Sequence, residues 1–216
     1  MARNFGVAGL LFLCCGFAAA QAPHTHQHSF SNAEQWSKYF DDPQRDATQK
    51  PHEVIQALAL KPDAVVADIG SGTGYFTVRL AHMVSKGKVY GVDTEPDMVK
   101  YLAGRAKREK LANVVALAGA PEDPRLPEKV DLMLLVDVLH HIDKRPQYLA
   151  KLKNYLKPGG RIAIIDFTEK SKFGPPVAER IPAGRVRDDF AKAGYTISAE
   201  HGFLPDQYFL VFAPKS

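Results

Sequence analysis

The sequence predicts an α/β fold, a doubly wound and mostly parallel seven-stranded sheet with N-terminal helices. Short apolar segments alternate with helical segments over most of the 216 residues, and this alternation is typical of strand–helix–strand units. The first predicted strand, residues 64–69, is almost entirely apolar, as expected of a strand covered by helices on both faces. In such folds ligands bind at the carboxyl ends of the strands, where the winding changes direction.

The elements follow one another at regular spacing. The predicted strands are 64–69, 88–92, 114–117, 130–136, 161–167, 195–199 and 207–212. The predicted helices inside the sheet region are 75–84, one that Pro96 opens, 146–156 and 183–193. The residues 157–160, with Pro158, Gly159 and Gly160, are interpreted as the stop of the helix before them.

Residues 1–22 have the layout of a secretory signal peptide. A positively charged start precedes sixteen uncharged residues, 5–20, and Ala20-Gln21-Ala22 resembles a cleavage site. The prediction is export to the periplasm or beyond, with a membrane-anchored form as the alternative and no membrane span after cleavage. Both cysteines, Cys14 and Cys15, lie in this segment, so chemistry that needs a cysteine nucleophile or thiolate ligands is excluded from the mature chain.

Residues 23–50 are predicted to form a flexible N-terminus and a lead-in helix. Ser31 or Asn32 would cap a helix that carries aromatic residues, and Pro51 suits the first position of the next helix. The lead-in residues have two alternatives, a lid over an acceptor or a cover for the edge of the sheet. They are Trp36, Tyr39, Phe40 and Arg45.

A glycine-rich loop follows the first strand and opens a helix. Gly70, Gly72 and Gly74 stand at alternate positions, which differs from the G-x-G-x-x-G spacing of dinucleotide-binding loops. Asp68 precedes the loop, where it would repel a phosphate and attract a cation. Asp93 ends the second strand, where an acid accepts ribose hydroxyls. The pattern favours a cationic nucleoside without phosphate.

With these motifs in place, the sequence resembles the class I S-adenosylmethionine (SAM)-dependent methyltransferases over about residues 51–214. The segments that carry the resemblance are 68–74 (DIGSGTG), 92–94 (VDT), 131–143 with VDVLHH, and 156–160 (LKPGG). It is most similar to the small-molecule enzymes of ubiquinone/menaquinone biosynthesis and to arsenite methyltransferases. The resemblance implies a Rossmann-like methyltransferase domain, residues 51–216, and SAM as cofactor.

The resemblance also implies roles for the loop residues. Gly70 and Gly72 would line the methionine part of SAM, Gly74 would belong to the same cofactor-binding loop, and Asp68 would organise the loop near its charged end. Asp93 would hold the ribose, with capping of the following helix as the structural alternative.

The adenine end is implied in the same way. Thr94 and Met98 would flank the adenine, although Met98 is equally interpreted as a core residue. Members of the family often have an acid after the third strand, near the adenine amino group. Ala120 stands there in this chain, and Glu122 or Asp123 would have to take its place.

The candidate catalytic residues follow the fourth strand. Asp137 would lie near the transferred methyl, and His140 or His141 would deprotonate a hydroxyl acceptor, since histidine titrates near neutral pH. The alternative for each histidine is a helix-end residue bonded to backbone. Asp137 and Asp166 together offer too few oxygens for a convincing Mg²⁺ site, so no metal is predicted.

The acceptor is narrowed by exclusion. The net charge of +4 is interspersed along the chain, which does not predict a nucleic-acid partner. The function predicted is in-line transfer of a methyl group from SAM to a small molecule. The alternative is an exported, non-catalytic module that binds SAM or a related nucleoside, and the glycine spacing disfavours a nucleotide-dependent oxidoreductase.

Overall fold

The computed structural model describes residues 30–215 of the chain. The predicted signal peptide, residues 1–22, lies outside the described residues, as do residues 23–29 of the predicted flexible N-terminus. Within the described range, none of the helices is both long and apolar enough to cross a bilayer.

Seven strands form one sheet, which confirms the predicted fold class. They are β1 Val65–Ile69, β2 Lys88–Asp93, β3 Val114–Ala118, β4 Val130–Val136, β5 Leu156–Phe167, β6 Tyr195–His201 and β7 Gln207–Pro214. Their order is β3-β2-β1-β4-β5-β7-β6. All neighbouring pairs from β3 to β5 are parallel, and only β7 runs antiparallel to its neighbours. The winding therefore changes direction between β1 and β4, and this is where a ligand is expected.

Seven helices surround the sheet within the described range. They are α1 Ala33–Phe40, α2 Arg45–Gln49, α3 Pro51–Ala57, α4 Tyr75–Met83, α5 Pro96–Arg108, α6 Arg145–Leu152 and α7 Ala183–Lys192. Asn32 is the cap of α1, because its side chain accepts a hydrogen bond from the backbone N–H of Gln35 at 3.3 Å. Pro51 occupies the start of α3 as predicted.

The core lies on both faces of the sheet. Along β4, Leu132 and Leu134 pack with α3 and α4, whereas Met133 and Leu135 pack with α6 and α7 on the other face. Successive side chains of a strand point to opposite faces, so a strand covered on both faces must be apolar at every position. This explains the continuous apolar runs in the sequence.

One local prediction is wrong, and one short helix was missed. The segment with Gly159 and Gly160 is not a helix stop: α6 ends at Leu152, a short 3-10 turn follows, and both glycines lie inside β5. Gly159 has a φ of +76° and lies where the β4–β5 register shifts, so the irregular strand uses it for a left-handed position. The short helix α2 was not predicted, since one turn of helix has no apolar periodicity to detect.

Candidate active site

A cavity of about 760 Å³ opens at the carboxyl ends of β1, β2 and β4. Its wall is made by the glycine-rich loop, the residues after β2 and β4, the α1–α2 segment and the turn at Val177–Glu179. Pockets of 300–1,000 Å³ are usual for small-molecule ligands. The cavity is therefore large enough for a cofactor and a small acceptor.

The glycine-rich loop is anchored to the end of β2. The backbone N–H groups of Gly70 and Ser71 both donate to the carbonyl oxygen of Val92, at 2.8 and 3.0 Å. Gly72 has a φ of +52°, and a Cβ built there would find only the ring of Phe40 within 4 Å. The missing side chain thus leaves the loop backbone open toward the cavity, where a ligand can approach it closely.

Two hydroxyl groups of this loop have no hydrogen-bond partner among residues 30–215. They belong to Ser71 and Thr73, and both side chains are buried and line the cavity. A buried hydroxyl without a partner is costly. The loop is consequently suited to a ligand that brings polar groups of its own.

Asp68 lies behind the loop and does not line the cavity. Its Oδ2 accepts a hydrogen bond of 2.6 Å from the hydroxyl of Thr77. Burial raises the pKa of Asp68 to about 6, against the lowering effect of that hydrogen bond. Gly74 also lies outside the cavity wall: it begins α4 with a φ of +93° and packs against Leu102. The two residues shape the loop from behind.

Asp93 holds the loop from the end of β2. Its Oδ2 accepts the N–H of Gly72 at 2.8 Å, and its Oδ1 accepts the N–H of Glu95 at 3.0 Å. Burial raises the pKa of Asp93. A carboxylate has about four acceptor sites, so lone pairs remain for ribose hydroxyls beside the two structural bonds. The capping alternative and the ribose role are therefore compatible.

The other residues predicted at the adenine end fall into two groups. Thr94, Met98 and Ala120 line the cavity, and Met98 is also fully buried in the protein. Glu122 and Asp123 do not line it. The carboxylate of Asp123 instead accepts a 2.7 Å hydrogen bond from Tyr155, so it is turned to another part of the surface.

Asp137 lies at the centre of the cavity wall, directly after β4, with a strained φ of +59°. Amide groups of Gln49 and Gln207 donate to its two oxygens, and Nη2 of Arg45 lies 3.8 Å from Oδ2. Burial, and next the negative charge of Asp166, raise the pKa of Asp137 to about 7. The two amides therefore fix the position of a carboxylate that can bind a cationic group.

His140 and Asp166 form a buried pair. The Nδ1 of His140 lies 3.0 Å from Oδ1 of Asp166, and the two side chains are 6% and 1% exposed. A carboxylate accepts, so Nδ1 carries the proton. Burial lowers the pKa of His140, but the hydrogen bond and charge of Asp166 outweigh this effect and the pKa is raised. Within residues 30–215 no hydrogen bond engages the other nitrogen, Nε2, and His140 lines the cavity.

His141 has a different environment. It is exposed and lies edge to face against the ring of Phe30, with 5.9 Å between ring centroids. Phe30 also contacts Trp36 and Phe40 of the lead-in segment. His140 is thus paired with the carboxylate of Asp166, and His141 packs against the aromatic residues of the lead-in segment.

Part of the lead-in segment lines the cavity, since Phe40 and Arg45 belong to its wall whereas Trp36 and Tyr39 do not. Asp41, at the end of α1, accepts a 2.7 Å hydrogen bond from Arg105 of α5. Asp46 of α2 accepts from the Tyr75 hydroxyl and pairs with Arg79 at 3.1 Å. The guanidinium of Arg45 lies 4.3 Å above the Tyr75 ring. Ion pairs at both of its helices thus tie the segment to α4 and α5.

Sequence reasoning missed Gln49 and Gln207. Both are buried, and both bind Asp137 from positions 88 and 70 residues away in the chain. No local pattern marks such residues. As for a divalent cation shared by Asp137 and Asp166, no group of three or more potential ligands occurs in the part of the chain that the structure describes, and Asp166 binds His140.

Comparison with known proteins relates this chain to enzymes. A family profile described as a methyltransferase domain matches residues 60–200. An uncharacterized methyltransferase of Geobacillus kaustophilus is 28% identical over 193 residues, which cover 79% of this chain and 86% of the relative. A protein-L-isoaspartate O-methyltransferase of Aeropyrum pernix is 28% identical over 71% of this chain and 58% of its own length. The solved structure of a SAM dependent methyltransferase from Aquifex aeolicus has a TM-score of 0.77 and 27% identity, over 84% of this chain and 97% of that chain.

Proposed function

This chain belongs to the methyltransferase domain family and is a SAM-dependent methyltransferase, and we propose that its acceptor is a hydroxyl group of a small molecule. The observation that carries the proposal is the buried His140–Asp166 pair on the cavity wall. A histidine oriented by a carboxylate is a general base for hydroxyl groups near neutral pH.

The cavity fits SAM by its chemistry. The unpartnered hydroxyls of Ser71 and Thr73 supply hydrogen-bonding groups for the methionine end, and the open backbone at Gly72 permits close approach. Asp137 would hold the ammonium group. Nη2 of Arg45 has no hydrogen-bond partner within 3.5 Å among the described residues and would hold the carboxylate. Together these groups match a zwitterion with an additional positive charge.

Beside that cofactor, the protein would position the acceptor and remove one proton. When bound, SAM supplies an electrophilic methyl group, which an in-line displacement moves from sulfur to the acceptor oxygen with departure of S-adenosylhomocysteine (SAH). The Nε2 of His140 would take the hydroxyl proton, and Asp166 would stabilise the imidazolium that forms. Proximity and alignment inside the cavity contribute the remainder of the acceleration.

The narrower resemblance to the ubiquinone/menaquinone-biosynthesis and arsenite methyltransferase group is part of this proposal. The absence of cysteine after residue 22 argues against arsenite itself, because thiolates are the groups that capture arsenic. A non-catalytic SAM-binding module is not favoured by the relatives, most of which are named as methyltransferases.

The test is methyl transfer from labelled SAM to a panel of phenols, aliphatic alcohols, carboxylates and an isoaspartyl peptide. Transfer to a phenol or alcohol is expected. His140→Gln should lower kcat by about 10²–10⁴-fold with unchanged SAM affinity, since His140 would act on the acceptor. His52→Gln, an exposed histidine of α3, is the matched control. Transfer only to the peptide, or full activity of His140→Gln, would contradict the proposal.

We also propose that the protein is exported by the signal peptide of residues 1–22. The charged start, the uncharged run and the Ala20-Gln21-Ala22 site support this. Mass spectrometry of protein recovered from the periplasm or medium of an expressing bacterium should show a chain that begins at Pro23. A full-length chain in the cytoplasm would refute export.

A further inference from the structure

The cavity that His140 lines also contains acidic and aromatic side chains that could select the acceptor. The inference drawn from them rests on the proposed function. Phe30, His140, Asp143 and Glu179 all line the cavity, and the charge of Glu179 acts on His140. The side chain of His140 is 6% exposed, and its Nε2 has no partner in the described residues. The side chain of His140 is thus largely buried while its Nε2 is free on the cavity side, which indicates that an acceptor is bound here.

The charged side chains of the cavity wall are mostly acidic. Its basic side chains are Arg45, which already lies 3.8 Å from a carboxylate, and the two histidines His140 and His141. The carboxylates of the wall are Asp93, Glu95, Asp137, Asp143 and Glu179. The single net positive charge of SAM does not neutralise them. An anionic acceptor would therefore be repelled, whereas a cationic one would be attracted.

Glu179 is kept at the cavity by a loop that is built around one arginine. The guanidinium of Arg180 donates to backbone carbonyl oxygens at 2.8–3.3 Å. These carbonyls belong to Thr168, Glu169, Ser171, Phe173 and Pro175. Such bonds fix the path of the chain before the turn Val177–Glu179. The charge of Glu179 reaches His140, whose raised pKa it supports.

Asp143 also lines the cavity. It follows the 3-10 turn that carries His140, it is exposed, and no hydrogen bond or ion pair engages its carboxylate within residues 30–215. Glu179 likewise has no side-chain partner in that range. Two exposed carboxylates that form no ion pair within residues 30–215 thus line the same cavity as His140 and the aromatic ring of Phe30.

We propose that the acceptor carries a protonated amine as well as the hydroxyl group that is methylated, and that Glu179 and Asp143 bind this amine. The hydroxyl lies at Nε2 of His140, and the aromatic ring of Phe30 contacts the acceptor skeleton. The two acids act as specificity residues and take no part in bond making.

The test is a competition among three phenols of similar size in one reaction with SAM. Tyramine carries a protonated amine, para-cresol is neutral, and para-hydroxyphenylacetate is anionic. The ratio of methylated products reports the ratio of kcat/KM, and calorimetry with SAH-loaded protein reports binding without turnover. Tyramine should lead in both measurements and the anion should be last.

Charge variants make the assignment specific. Glu179→Gln and Asp143→Asn should each reduce the preference for tyramine over para-cresol by about fivefold, the value of one exposed charge pair. Glu179→Lys should raise the anion above tyramine. Glu169→Gln, an exposed acid of the same loop outside the cavity wall, should leave the order unchanged.

The outcomes separate the two proposals. An equal or reversed order in the wild type, or an order that Glu179→Lys does not change, overturns the amine inference and leaves the proposed function intact. Methyl transfer only to neutral or anionic hydroxyl compounds of the wider panel would likewise overturn the amine inference and leave the proposed function intact. Absence of transfer to every hydroxyl compound, with SAM bound, overturns the proposed function itself.

Discussion

Replacement of Asp137 by asparagine should make the ligand-free protein more stable above neutral pH. The carboxylate is 20% exposed, lies close to the charge of Asp166 and follows β4 with a φ of +59°. Asparagine keeps the shape and tolerates a positive φ, but it carries no charge. The substitution therefore removes an unfavourable buried charge with little change in packing.

The magnitude follows from the pKa. Burial and Asp166 raise the pKa of Asp137 to about 7, whereas an aspartate in an unfolded chain titrates near 3.9. The difference corresponds to a cost of about 4 kcal/mol for the ionised group in the folded state. One hydrogen bond changes as well. The Oε1 of Gln207 is buried without a partner among the described residues, so after rotation of its amide it would accept from the new Asn amide.

The sign is fixed by linkage. The folded state holds the Asp137 proton more tightly than the unfolded state, so the free energy of unfolding falls as pH rises from about 4 to about 7. The free energy of unfolding of the variant does not fall for this reason, because asparagine has no proton to release. We expect Asp137→Asn to be about 2–4 kcal/mol more stable than wild type at pH 8, and to have no such advantage at pH 4.

Urea unfolding of ligand-free protein across this pH range is the assay. The raised pKa of His140 gives a slope of the same sign. Its larger cause, Asp166, is present in both proteins, whereas the smaller contribution of Asp137 is lost in the variant, so the difference between the two curves reports Asp137 together with its coupling to His140. Asp188→Asn, an exposed acid on α7, is the matched control and should follow wild type. Parallel curves for wild type and Asp137→Asn would refute the reasoning.

Three further predictions concern the cofactor loop and the lid. Asp93→Ala should lower SAM affinity more than tenfold, which corresponds to a loss of about 1.4 kcal/mol or more of binding free energy, because its carboxylate holds the glycine-rich loop. Calorimetry should show this loss, and a variant that binds SAM like wild type would contradict the prediction. Asp41→Asn breaks the 2.7 Å ion pair with Arg105 that ties α1 to α5, so SAH should dissociate about fivefold faster in stopped flow. Glu109→Gln removes another partner of the same arginine and should leave the dissociation rate of SAH unchanged. Gly74→Ala should destabilise by about 1–3 kcal/mol, because φ is +93° and the new Cβ would lie 2.5 Å from a leucine carbon. Gly184→Ala on α7, which has nothing within 4 Å, should not destabilise, and thermal unfolding distinguishes the two.

Most of the fold could be predicted because its signals are local. The apolar run of β4 was predicted with its observed bounds, Val130–Val136, since this strand is buried on both faces and Asp131 is its one polar residue. Pro51 and Pro96 began helices where expected. Gly159 and Gly160 misled because the same residues that end helices also permit an irregular start of a strand.

In the candidate site, too, the residues marked by local motifs could be predicted and the contacts between distant parts of the chain could not. The glycine-rich loop, Asp93 and the His140–His141 pair could be located from the sequence because short motifs mark them. The pairing of His140 with a carboxylate could not be predicted, since Asp166 lies 26 residues further along the chain. The alternative between lid and edge cover for the lead-in segment likewise depended on pairs such as Asp41–Arg105, which are 64 residues apart.

The sequence by itself determined the doubly wound sheet, the glycine-rich loop that favours a nucleoside without phosphate, and the acids at the ends of β1, β2 and β4. These features are local, because hydrophobic periodicity and turn chemistry act between neighbouring residues. Only the tertiary structure decided the electrostatic state of the site. Gln49, Asp166 and Gln207 meet Asp137 from three separate elements, and the raised pKa of Asp137 arises from burial and from the charge of Asp166. Both causes depend on the distance between groups in space and on the exclusion of water, and these exist only after the chain has folded.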